Sequence, residues 1–450
     1  MDPLIQLMKR TMKNISGYLM TALAFITLTV GVSSCHKHDK PSEDRKVMIM
    51  MSLGHNSISA YLKEDIQDMQ QGVYLPTKSS SSDVFLIFSK QTVKYKDYSI
   101  PTESALIRLY KNKKGVAVMD TLKTYPATKI SASASTIREV LTYVQQEFKA
   151  KSYGIVFSSH GTGWLPAGFY TNPNKFSSPS ISPSSTERQH RNTGDPVPVP
   201  YVEKHQDPNG PAVKTAGQEV VRENGSDVSY EMEIEDFAAA IPMHLDYFLF
   251  DACLMGGIET AYAFKGVADV VGFSQAEVLA DGFDYRQLAN HLLAGKTPNP
   301  VSVCDAFYQH YDKESDSNRS ATISLVRTDA LEELANACRP LFEKYRTEIN
   351  SLNSSKVQCF GGNKKYFYDL EDILVKAGAD DLSSFKAALE KCIVYKATTG
   401  QYYSPYGGTF KVDAFCGLSM YLPPAVTVGK DYLDKYYKGL SWNKATGLVQ

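Results

Sequence analysis

The stretch YFLFDACLMGG, residues 247–257, is read together with GIVFSSHGTGW, residues 154–164. Each opens as a short apolar run, the pattern of a strand buried on both faces. Each then reaches a reactive side chain within a few residues, His160 in one and Cys253 in the other. In open α/β sheets ligands bind at the carboxyl ends of the strands. A thiol and an imidazole at two such ends can act together: the thiolate attacks a carbonyl, and the imidazole takes and returns the proton. Gly161 lets a substrate backbone come close, and the N–H groups of Gly161 and Cys253 are the expected donors to an oxyanion.

Working outward, strands and helices alternate. Residues 47–53 and 84–88 read as buried strands, 105–110 and 116–119 as shorter ones, and 267–273 as another. Helical spacing runs through 58–69, 136–148, 234–241 and 255–264. Continuous apolar strands bracketed by helices predict an α/β fold, with helices covering both faces of a mostly parallel sheet. We place this catalytic domain at 46–300. From 301 to 450 the chain turns more helical, with helices over 303–311, 330–352, 368–376 and 382–392 and a late strand over 416–422. An aromatic loop around Tyr402, Tyr403 and Tyr406 precedes that strand and is an alternative, non-catalytic binding surface for a peptide or glycan.

Residues 170–227 break the alternation. The segment is rich in Pro, Ser, Asn and Gly and has almost no apolar period, so it reads as a flexible insertion. It carries Lys175, Arg188, Arg191, Lys204, Lys214 and Arg222, each a site for a protease that cuts after basic residues.

The chain has 450 residues, 43% hydrophobic and 22% charged, with a formal charge of −1. That composition supports a sizeable core and excludes a disordered polyelectrolyte or a polytopic membrane protein. Without a basic excess, nucleic acid is not an expected partner. Lys9, Arg10 and Lys13 precede an apolar run over 18–32, the layout of a secretory signal. The run ends in Val32-Ser33-Ser34-Cys35, which resembles a bacterial lipobox. Residues 1–34 are therefore expected to be a lipoprotein signal peptide, Cys35 the diacylated new N-terminus, and 35–45 a polar tether. The expected location is the bacterial cell envelope, at the outer membrane or surface. The other cysteines form no CxxC pair, and one or two bridges in the last third are left open.

SSHGTGW, DACLMG and the opening MIMMSLGHNSISAYLKEDIQDM resemble the clostripain family of cysteine peptidases, in the caspase-like clan. GFSQAEVLADGFDY and CGLSMYLP fit the same pattern, so the resemblance covers most of residues 46–425. It implies a caspase-like three-layer α/β/α sandwich and an endopeptidase acting on proteins or peptides after Arg or Lys. By that resemblance His160 is the general base and Cys253 the nucleophile. Asp251 would line the pocket for the basic side chain, where a carboxylate gives a charge-assisted contact. Self-cleavage between His160 and Cys253 is the activation step the family implies. No cofactor is implied, with calcium left open: some relatives use it, yet Asn224-Gly225-Ser226-Asp227 is far short of a calcium loop. Glu277, Asp281 and Asp284 read as solvated loop charges, one of which could reach the pocket.

Overall fold

The structure is a computed structural model that describes residues 44–78, 81–95, 98–100, 102–177, 197–200, 210–214 and 218–450. The leader, Cys35 and nearly all of the tether lie outside the described residues, as do Arg188, Arg191 and Lys204.

Nine strands form the main sheet: β1 (Lys46–Gly54), β2 (Val84–Gln91), β3 (Ser104–Lys111), β4 (Ala117–Tyr125), β5 (Ser152–Ser158), β6 (Leu245–Asp251), β7 (Ala268–Phe273), β8 (Thr322–Arg327) and β9 (Ile393–Thr398). Their spatial order is β9-β8-β7-β6-β5-β1-β2-β3-β4. The five central strands, β7 through β2, run parallel. Antiparallel pairs extend the sheet at both edges, so the parallel expectation holds for the centre. The reason is visible in the sequence. β1 and β5 are buried almost end to end, as two-sided coverage demands, whereas β4 is largely half-buried and suits an edge.

Helices pack in two sets. Helix α1 (Ser59–Gln70) contacts the short helix Tyr285–Ala289. In the other set α2 (Ala134–Glu147) contacts α3 (Ile234–Ala239), and α3 contacts α4 (Ile258–Ala263). Ser133 caps α2 by accepting from the Thr136 N–H, and the α2 residues Ile137, Val140, Leu141 and Val144 are buried. This is the expected α/β/α arrangement. Among the described residues no helix is long and apolar enough to cross a membrane.

Three expectations need correction. The 330–352 helix is two, Leu331–Lys344 and Arg346–Asn350, because Tyr345 leaves helical geometry at φ −103°, ψ 20°. The late strand is only Ser419–Met420, paired with Tyr368–Asp369 outside the main sheet. Gly417 at φ 99° turns the chain before it, and Pro423-Pro424 stops it after. The described residues of the insertion take up regular structure. Phe176 packs on Phe169 and Tyr432, and Glu219–Glu223 forms a hairpin with Ser226–Glu231, flanked by Val197–Pro200. Its strands are short and polar, so their alternation does not stand out in the sequence. No disulfide joins any of the cysteines among the described residues.

Candidate active site

The parallel register places β5 and β6 side by side, with Ser158 opposite Asp251 at their carboxyl ends. His160 and Cys253 each follow by two residues, and both are buried, at 1% and 0% exposure. The two loops fit closely. A Cβ on Gly161 would lie 2.7 Å from the Cys253 carbonyl oxygen, so only glycine fits there. Leu254, just after the thiol, sits at φ 62°, a left-handed conformation that costs roughly 1–2 kcal/mol outside glycine. That turn is fixed by a hydrogen bond from the Leu254 N–H to the Ala276 carbonyl.

His160 Nε2 lies 3.0 Å from Ser57 Oγ, just past the end of β1. The Lys214 main chain lies against the same ring but makes no hydrogen bond of good geometry to Nδ1. Burial is the main reason that the imidazole is driven down to about 4, so it is neutral near pH 7. Cys253 Sγ accepts from the Val278 N–H at 3.0 Å.

The feature that organises the site comes from the insertion itself. Residues 212–214 lie antiparallel to 278–280, with Lys214 N–H donating to the Val278 carbonyl at 3.0 Å and Ala280 N–H to the Ala212 carbonyl at 2.9 Å. An extended chain is thus added to the loop after β7, as a bound peptide would be. The Lys214 carbonyl accepts from Gly161 N–H at 3.1 Å and from Cys253 N–H at 3.3 Å. Its side chain, fully buried, forms an ion pair with Asp251 and donates to Ser158 Oγ at 3.0 Å. Tyr285 donates its hydroxyl to the same Asp251 oxygen.

One short segment therefore brings together all four residues expected at the site: His160, Gly161, Asp251 and Cys253. The chain belongs to the clostripain family. Its sequence profile matches residues 50–174 and 207–447. The chain is similar to an inactive zymogen C11 protease from Parabacteroides distasonis, at 28% identity and TM-score 0.68, covering 90% of this chain and 99% of that one. It is also similar to a secreted C11 cysteine protease from Bacteroides thetaiotaomicron, solved with an irreversible peptide inhibitor. That match has 24% identity and TM-score 0.65, covering 89% of this chain and 98% of that one. Nothing among curated proteins matches. This clostripain-family chain is thus a cysteine peptidase with the caspase-like fold.

The sequence reading missed Ser57, Asp65, Ser158 and Tyr285 at this peptidase's site. Ser57 and Asp65 stand inside the opening block that carries the family resemblance, but no spacing ties them to residues 160 and 253. Glu277 is not solvated: it is buried and accepts from Tyr170 Oη at 3.1 Å. Asp284 caps the helix Tyr285–Ala289, and Asp281 is exposed. Tyr402 and Tyr403 are core residues, so the aromatic loop does not present them to a ligand. No cluster of three or more His, Cys, Asp or Glu suited to a metal occurs among the described residues.

Proposed function

We propose that the chain is made as an inactive precursor and that its first substrate is its own Lys214–Thr215 bond. Once cut, it cleaves proteins or peptides after Lys or Arg. One observation carries this reading. The Lys214 carbonyl accepts from the two N–H groups suited to an oxyanion while its ammonium meets a buried carboxylate.

With Nε2–H donating to Ser57 Oγ, Nδ1 of His160 holds the lone pair and takes the proton of the Cys253 thiol. The thiolate attacks the carbonyl carbon, and the developing charge falls on the oxygen already held by the Gly161 and Cys253 N–H groups. His160 then returns the proton to the leaving amine, and water releases the acid by the reverse path. Asp251 supplies the counter-charge that selects a basic side chain, in an enclosed pocket where an ion pair counts for more than in water. The same contacts explain latency: while Lys214 stays in place, no other peptide can enter. A lipid on Cys35 would hold the enzyme at a membrane of the envelope; Cys35→Ser should then leave a precursor that keeps residues before 35, seen as a heavier, unacylated species.

The deciding experiment is intact-mass analysis of purified wild type and Cys253→Ala. Wild type should give two fragments that meet between Lys214 and Thr215, and Cys253→Ala a single chain. A fully active uncut wild type, or the same cut in Cys253→Ala, would sink the proposal.

A further inference from the structure

Burial along the segment that enters the cleft is uneven. Pro211 and Ala212 are half-buried, whereas Val213 and Lys214 are each 0% exposed. Lys214 owes its burial to the pocket already described, and Val213 needs another. The pairing with 278–280 says where that is. The Lys214 and Ala280 N–H groups make the two flanking hydrogen bonds, so Val213 and Leu279 face each other as a non-hydrogen-bonded pair. In such a pair the side chains stand on the same face, at the closer of the two spacings. Side chains alternate along an extended chain, so Ala212 and Lys214 point the other way. Their contacts agree. Ala212 packs with Ile58, Leu62 and Ala280, and the Lys214 ammonium lies 4.0 Å from Asp65, one turn after Leu62 on α1. Val213 lies instead with Leu279 in the main apolar core.

Resting on the reading of this cleft as one that cuts after Lys or Arg, we propose that the place of Val213 is a second specificity pocket. It takes an aliphatic side chain immediately before the basic one, and Leu279 sets its size. When the cut segment leaves, an incoming peptide adds to 278–280 by the same hydrogen bonds, and the residue before its Lys or Arg falls opposite Leu279. Those hydrogen bonds run between main chains and do not choose among side chains, so the choice falls to the pocket. A valine there covers apolar surface that an alanine leaves uncovered. An aspartate would be taken out of water into apolar surroundings. The favoured substrates are therefore extended segments in which an aliphatic residue precedes the basic one.

The test uses the self-cleaved enzyme and the fluorogenic peptides Pro-Ala-Val-Lys, Pro-Ala-Ala-Lys, Pro-Ala-Leu-Lys and Pro-Ala-Asp-Lys. Values of kcat/KM are compared within one preparation, so their ratios do not depend on how much of it is folded. In wild type the Val peptide should exceed the Ala peptide about tenfold. It should exceed the Asp peptide by about a hundredfold or more. Leu279→Phe fills the space and should make the Ala peptide the better substrate. Leu279→Ala enlarges it and should raise the Leu peptide above the Val peptide. A residue that only supports the fold would reverse neither order. Equal rates for Val and Ala in wild type, or wild-type ratios kept in both variants, overturn the proposal. Failure of the basic-residue reading looks different: Pro-Ala-Val-Gln would then be cut as fast as Pro-Ala-Val-Lys.

Discussion

At the residue scale, His160, Gly161 and Cys253 stand out because each lies just past a strand end, where an apolar run gives way to chemistry. Asp251 was marked out by the family resemblance. Lys214 was legible as one of six basic residues in the insertion but not as the one in the pocket. Its place depends on pairing with Val278, a contact that no local spacing announces. Ser57 and Asp65 are hidden for the same reason, since a helix start and a helix face become parts of a site only when the sheet brings them there. Burial of His160 also carries a pH signature. Its folded value is lowered to about 4 and its unfolded value is near 6.5, so the unfolded chain binds the extra proton between them. Stability of the uncut precursor should therefore fall as pH drops through that window, by roughly 3 kcal/mol at pH 4 from this group. His55, also lowered by burial, acts in the same direction, so the comparison must isolate His160. Thermal melts of Cys253→Ala and of Cys253→Ala/His160→Gln from pH 7 to 4.5 will do so. Parallel pH dependence in the two would show that His160 does not contribute.

At the element scale, the central strands were plain because two-sided burial writes an unbroken apolar run. The hairpin inside the insertion was not, because its residues are mostly half-buried or exposed. Its anchor is polar: Glu219 forms a buried ion pair with Lys90 of β2 at 2.6 Å and accepts from the N–H groups of Ser131 and Ala132. Val220 N–H donates to the His55 carbonyl beside it. The chain downstream of the proposed cut is thus pinned to the sheet independently of Lys214. Removing one member of a buried pair typically costs about 3–5 kcal/mol, because the other charge is left uncompensated. Glu219→Ala in the Cys253→Ala background should lose about that much in urea unfolding. A loss below about 1 kcal/mol would mean that the pair is not what holds the hairpin.

At the scale of the whole molecule, the proposed cut separates β5 from β6 in the chain but not in space. The two strands remain neighbours in one sheet, paired from Tyr247–Gly154 to Asp251–Ser158. The fold class was legible because helix and strand alternate throughout. The antiparallel edges were not, since an edge strand and a central one differ in neighbours more than in composition. The seating of Lys214 also has a kinetic meaning. A molecule that presents its own bond to its own thiol needs no second copy, so the proposed conversion should be unimolecular. Its half-time should be the same at nanomolar and micromolar protein, and a quenched time course over that dilution range will check it. A half-time that shortens in proportion to concentration would show that one molecule cuts another. With a unimolecular step the waiting time is written into each chain, and a single precursor far from any other matures as promptly as one in a crowd.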